Sequence, residues 1–125
     1  PETLAASLLS GCKNYSRIRR LGGSLFEATD WGCTLDAGQP VPEKTAYAGI
    51  RAHYIRPAEA EGPNTLSCQV QRVVEDVFST VVMLSTPGGA PLRMELSREE
   101  WTACQAAGPL RVRIAPESIM LLREQ

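Results

Sequence analysis

Residues 64–96 constrain this chain more than any other stretch, because they hold three short apolar runs separated by two different turn signals. The runs are residues 68–74, 78–84 and 92–96, each of strand length and rich in strand-forming side chains. Glu75-Asp76 interrupts the first junction. Thr86-Pro87-Gly88-Gly89-Ala90-Pro91 forces a reversal at the second, since glycine tolerates positive φ while proline fixes φ and lacks an amide donor. The pattern predicts an antiparallel meander. Val81, Val82, Met83 and Leu84 are apolar without alternation, which predicts a strand covered on both faces. Val70, Val82, Leu84, Met94, Val112 and Ile114 take the inward positions and are the expected core.

A chain of 125 residues with 43% hydrophobic content supports one compact domain. Its net charge of −1, with Lys13 and Lys44 the only lysines, gives nucleic-acid binding little electrostatic support. No apolar run approaches a membrane span and no charged-then-apolar leader opens the chain, so a soluble, intracellular protein is expected. The first residue is Pro1, consistent with a piece of a longer protein. Cys12, Cys33, Cys68 and Cys104 form no C-x-x-C pair and His53 is the single histidine, a spacing that predicts reduced thiols rather than a zinc site or a disulfide framework.

Outside the meander the elements are shorter. Leu4, Ala5, Leu8 and Leu9 share one helical face after a Thr3 N-cap, and this helix either trails from an upstream domain or docks on the β core. Residues 17–21, 24–28 and 31–35 read as hairpin-sized strands, broken at Gly22-Gly23 and cornered at Asp30-Trp31-Gly32. Arg17, Arg19 and Arg20 read as a solvated strand edge rather than an anion patch. A strand restarts at residues 46–51. The Ser-x-x-Glu spacing of Ser97 and Glu100 predicts a capping box, opening a helix that runs to about Ala107 and stops at Gly108. Leu110, Val112 and Ile114 alternate with arginines as a half-buried strand, and Ile119-Met120-Leu121-Leu122 closes the domain.

Two passages echo one another. Ile50 and Ile55 bracket four residues after a strand, as do Ile114 and Ile119, and Asn14 and Asn64 each stand just before a strand. The echo fits a weak internal duplication, each copy contributing strands to a shared or paired barrel, and equally a chance match of this extent.

No phosphate-cradling G-x-x-x-x-G-K-[ST], no G-x-G-x-x-G and no G-x-S-x-G elbow is present, and His53 has no serine or cysteine partner in sequence. Glu75-Asp76 and Glu99-Glu100 are paired carboxylates in sequence only, the second pair placed where acids suit a helix dipole. The chain is expected not to be an enzyme.

Leu9-Ser10-Gly11-Cys12-Lys13-Asn14-Tyr15-Ser16, Asp30-Trp31-Gly32-Cys33, Gly49-Ile50-Arg51-Ala52-His53, Val74-Glu75-Asp76-Val77-Phe78-Ser79 and Ala115-Pro116-Glu117-Ser118-Ile119 together resemble the C-terminal regulatory region of ABC-importer ATP-binding subunits, molybdate/sulfate type. The resemblance implies an all-β, OB-like barrel of the transport-associated (TOBE/Mop-like) kind, with two related β halves and one short helix. It implies that residues 1–10 are the helical tail of an upstream ATPase connection and residues 11–125 the regulatory domain. It further implies a homodimer of the ATPase subunit, contact with membrane permease subunits through the full-length protein, and a cytoplasmic place at the inner face of the membrane. ATP and Mg would belong to the full-length subunit, with no cofactor in this chain. The likeness extends to molybdopterin-binding-like modules that hold oxyanions at subunit interfaces with amides, hydroxyls, an arginine and a lysine. By that likeness the oxyanion-binding candidates are Ser97, the amides of Arg98 and Glu99, and Ser118. The sequence departs from that pattern at Pro63, where an arginine is usual, and at Ala115-Pro116-Glu117, which replaces the lysine segment. Two alternatives of other classes are a purely structural dimerisation module without ligand and a freestanding small-ligand-binding β-barrel.

Overall fold

The computed structural model describes residues 2–104 and 109–124. Among these residues ten strands form two five-stranded antiparallel sheets. The first half of the chain supplies β1 (Asn14–Gly22), β2 (Leu25–Ala28), β3 (Cys33–Asp36), β4 (Tyr47–Ile50) and β5 (Ile55–Pro57). The second supplies β6 (Thr65–Glu75), β7 (Thr80–Ser85), β8 (Pro91–Leu96), β9 (Pro109–Ile114) and β10 (Met120–Leu122). One sheet has the order β10-β4-β1-β2-β3 and the other β5-β9-β6-β7-β8. Adding five to each label of the first order, cyclically, gives the second. The chain is therefore two copies of one five-strand unit that have exchanged their last strands: β5 pairs β9, with Ile55 opposite Ile114, and β10 pairs β4.

The duplicated frame seen in the sequence falls on equivalent places. Ile50 ends β4, a 3-10 turn follows at Ala52–Tyr54, and Ile55 opens β5; Ile114 ends β9, a 3-10 turn follows at Pro116–Ser118, and Ile119 leads into β10. Asn14 and Asn64 are equivalent in function as well as position. The Asn14 side chain takes the amide of Arg93 at 2.7 Å and donates to its carbonyl at 2.8 Å, tying β1 to the other half's β8. Asn64 does the same to Asp36 at the end of β3, at 2.8 and 2.9 Å, and also donates to Ile114 O at 2.9 Å. Both are buried, and Asn64 has φ +57°, a left-handed conformation that asparagine accepts better than most residues. The turns at residues 29–32 and 86–90 also meet: Gly88 N donates to Trp31 O at 3.0 Å and Ala90 N to Asp30 O at 3.2 Å.

An apolar cluster fills the space between the sheets, built from Phe26, Leu35 and Ile50 of one, Leu84, Leu92, Met94, Val112 and Ile114 of the other, and Trp31 of the 29–32 turn. Of the expected core, Val82, Leu84, Met94, Val112 and Ile114 are buried, while Val70 is half-buried. The strand expected at residues 81–84 is not covered on both faces. Thr80, Val82 and Leu84 are buried and Val81 and Met83 half-buried, because β7 lies in a sheet with one face on the core. Phe78 precedes β7 and is 88% exposed. The arginines are exposed on β1, which pairs β4 through Asn14–Arg17 and β2 from Ile18 to Gly22, so Arg19 and Arg20 lie past the β4 pairing; Arg17 pairs with Asp30 and Arg19 with Glu27.

Among the described residues two α-helices flank the sheets. α1 (Leu4–Leu9) is capped by the Thr3 hydroxyl, as its sequence predicts, and lies on the β body: Leu4 N donates to Arg123 O and Arg123 N to Glu2 O, both at 3.0 Å. The face it buries is the unexpected one. Ser7 is enclosed beside Tyr15, whereas Leu8 and Leu9 are exposed, since the backbone bonds to Arg123 set the helix's rotation. α2 (Arg98–Cys104) is started by the Ser97–Glu100 box. The expected continuation to Ala107 and stop at Gly108 lie outside the described residues.

Candidate functional site

Strand exchange brings the 3-10 turn of each half against the third strand of the other. Ala52–Tyr54 packs on β8, and Pro116 and Glu117 lie beside Ala37, Gly38 and Gln39, just past β3. Each junction forms an open cleft.

The first cleft, about 430 Å³, contains the start of α2 and is lined by His53, Arg56, Phe78, Ser79, Glu95, Leu96, Ser97 and Glu100. Local chemistry positions its parts. Ser97 follows β8 and caps α2: its hydroxyl oxygen accepts the Glu100 amide at 3.0 Å, and its own amide donates to the Glu100 carboxylate at 2.9 Å. Arg56, the middle residue of β5, forms an ion pair with Glu100. The Ser97 amide, then Arg56, hold the Glu100 carboxyl below the usual carboxylate range, so it is ionised at neutral pH. That carboxylate occupies the place at the helix start where an external anion would sit. Ser97, Ser79, His53 and Arg56, whose side chains can donate hydrogen bonds, all line the cleft. The His53 ring stands 4.2 Å from that of Tyr54.

The four residues expected at the site are placed as follows. Ser97 is half-buried at the rim of the first cleft, and Arg98 and Glu99 are exposed in the first turn of α2. Ser118 is half-buried on the second 3-10 turn, whose Pro116 and Glu117 line the other cleft. Ser97 and Ser118 thus belong to different junctions of the pseudo-symmetric pair, although both come from the second half of the chain. In their place the fold gathers His53, Arg56 and Ser79 around Ser97. The signal for this was the Ile50/Ile55 echo, which marks residues 51–56 as the equivalent of the 115–120 segment.

The second cleft carries one ionisable side chain, Glu117, among its lining residues. The four cysteines are unbonded to one another. Burial pushes the thiols of Cys33 and Cys68 up to about 12 and about 11. Among the described residues no cluster of three or more His, Cys, Asp or Glu side chains is placed to hold a metal ion, and no helix is long and apolar enough to cross a membrane. The first cleft brings together polar side chains and one charge pair, Arg56 with Glu100.

No model of a known protein family matches the chain, and no curated protein matches it. Among solved structures, the cytoplasmic molybdate-binding protein ModG, crystallised with molybdate bound, is similar, with a TM-score of 0.63 over 88% of this chain and 95% of that one. Sequence identity is 11%, so the likeness is one of fold.

Proposed function

We propose that this chain is a binding module for a tetrahedral oxyanion of the molybdate, tungstate or sulfate class, acting as a regulatory domain that associates with a second copy of itself. The observation that carries this reading is the likeness of this chain's fold to that of a molybdate-binding protein. The cleft at Ser97 is the best-supplied candidate place. A dianion needs several aimed donors, and Arg56, His53 and the hydroxyls of Ser79 and Ser97 line that cleft together. Ligand entry there requires Arg56 to turn from Glu100 toward the anion. A freestanding oxyanion-binding protein fits these features directly. The resemblance noted in the sequence supports a finer version, in which the chain is the C-terminal domain of an ABC-importer ATPase subunit. Residues 1–10 then lead from the nucleotide-binding domain, that domain handles ATP and Mg, and the whole sits with permease subunits at the inner face of the membrane.

One observation favours a second reading, a structural association module with no ligand: Glu100 already fills the helix start and neutralises Arg56. Thermal unfolding with molybdate, tungstate or sulfate at constant ionic strength separates the two. A ligand at about 100 times its Kd stabilises by about 2.7 kcal/mol, and Arg56→Ala removes that gain while keeping the Ser97 cap. If no anion raises the midpoint beyond a chloride control, oxyanion binding fails and the structural module stands.

A further inference from the structure

The β6–β7 hairpin runs out beyond the sheet that it belongs to. β9 pairs β6 only from Thr65 to Gln69, where Pro109, which has no amide hydrogen, stands opposite Gln69. From Arg72 to Glu75, β6 is paired with β7 on one side, and among the described residues no strand flanks its other side. Residues 71–78 are all exposed, including Val73 at 37%, Val74 at 42%, Val77 at 69% and Phe78 at 88%. An unpaired strand edge that carries apolar side chains is a template for another strand.

We infer that this edge receives a second copy of the chain, its own β6 running antiparallel across a two-fold axis at Val74. The occupant follows from the charges. Directly opposed residues in an antiparallel pair share a face, so a two-fold axis must set some residue against its own copy. With Val74 on the axis, Val73 faces the partner's Glu75 and Arg72 faces the partner's Asp76. That opposition occurs twice, once on each side of the axis, and each is a cross-strand pair of opposite charge. Moving the axis to Val73 would set Arg72 against the partner's Val74 and leave these charges without one another. The segment Arg72-Val73-Val74-Glu75-Asp76 is thus complementary to itself in one register. The exposed Val77 and Phe78 extend the apolar surface past the paired segment, and Phe78 also lines the Ser97 cleft, so the association borders the proposed anion site.

The inference deepens the self-association named above and rests on it. Sedimentation velocity of the whole chain, over a concentration series reaching about 1 mM, should show a monomer–dimer equilibrium. Arg72→Asp and Asp76→Arg each create two like-charge oppositions, and each should weaken the dimer by about tenfold or more. The double exchange Arg72→Asp/Asp76→Arg should restore it to within about threefold. Val74→Lys should abolish it by setting two ammonium groups at the axis. These side chains are exposed, and circular dichroism with a thermal melt checks that each variant folds; were Val74→Lys to misfold, the charge exchange alone decides. A dimer indifferent to the single substitutions, or not rescued by the double one, overturns this interface while leaving self-association intact. A monomer at every concentration overturns both, and anion titration then reports separately on oxyanion binding.

Discussion

Asn64 is the side chain whose removal should cost the fold most for its size. It is 5% exposed and makes three side-chain hydrogen bonds, accepting the Asp36 amide at 2.8 Å and donating to Asp36 O and Ile114 O at 2.9 Å. Asn64→Ala leaves one amide and two carbonyls short of a partner in a site with little room for water. Each orphaned buried group costs about 1–3 kcal/mol, and the carbonyls, having second lone pairs, fall at the low end. Alanine at φ +57° adds about 1 kcal/mol of backbone strain. The total is about 4–6 kcal/mol, comparable with the whole stability of a domain this size. Asn64→Gly loses the same hydrogen bonds without the strain, so it should be milder than Asn64→Ala by about 1 kcal/mol. Asn14→Ala loses two bonds in the equivalent place, at 2.7 and 2.8 Å, and should cost about 2–4 kcal/mol. Urea unfolding followed by tryptophan fluorescence measures all three. An Asn64→Ala protein within about 1 kcal/mol of the wild type would refute the view that these asparagines clamp the two halves.

Gly88→Ala should destabilise by about 1–3 kcal/mol or more, since its Cβ would lie 2.5 Å from Asp30 O and Gly32 N, whereas Gly62→Ala, with open space around it, should be nearly neutral in the same unfolding assay. Val82→Asp places a carboxylate at a position with no exposure, and calorimetry should show no cooperative transition; a normal melt would refute the strand's inward face. Asp30, Asp36 and Glu100 are held below the usual carboxylate range, by the Arg17 side chain, the Gly38 amide and the Ser97 amide respectively. Their contribution is complete above about pH 4.3 and is lost as pH falls through their lower folded values, so the urea midpoint should drop below pH 4, and Asp30→Asn should flatten that slope. Thiol titration of the folded chain at pH 8 should leave Cys33 and Cys68 unreacted, both being held protonated by burial, and reaction at the rate of the denatured chain would contradict that burial.

The β6–β8 meander and the Ser97 box were legible because each rests on neighbours in sequence: alternation, turn residues, a three-residue spacing. The two-fold duplication was legible in outline from four isoleucines and two asparagines. What periodicity does not encode is which sheet a strand joins. Residues 55–57 look like any short strand, and nothing local says that their partner is β9, more than fifty residues away. The same gap hid the site, because Arg56 reaches Glu100 only through the exchange. Nearest-neighbour reading also misjudged faces. A run such as 81–84 is apolar throughout, yet only alternate members touch the core. In α1 the helix's rotation is set by backbone bonds to Arg123 rather than by its leucines.

Had each five-strand unit been a separate polypeptide, exchanging its last strand with an identical copy, both clefts would carry the same side chains by necessity. The connection through residues 58–64 removes that obligation. Here one junction holds His53, Arg56 and Ser97 while its counterpart holds Gln39, Pro116 and Glu117. One continuous chain can therefore carry different side chains at its two junctions, a freedom closed to a symmetric pair of identical short chains.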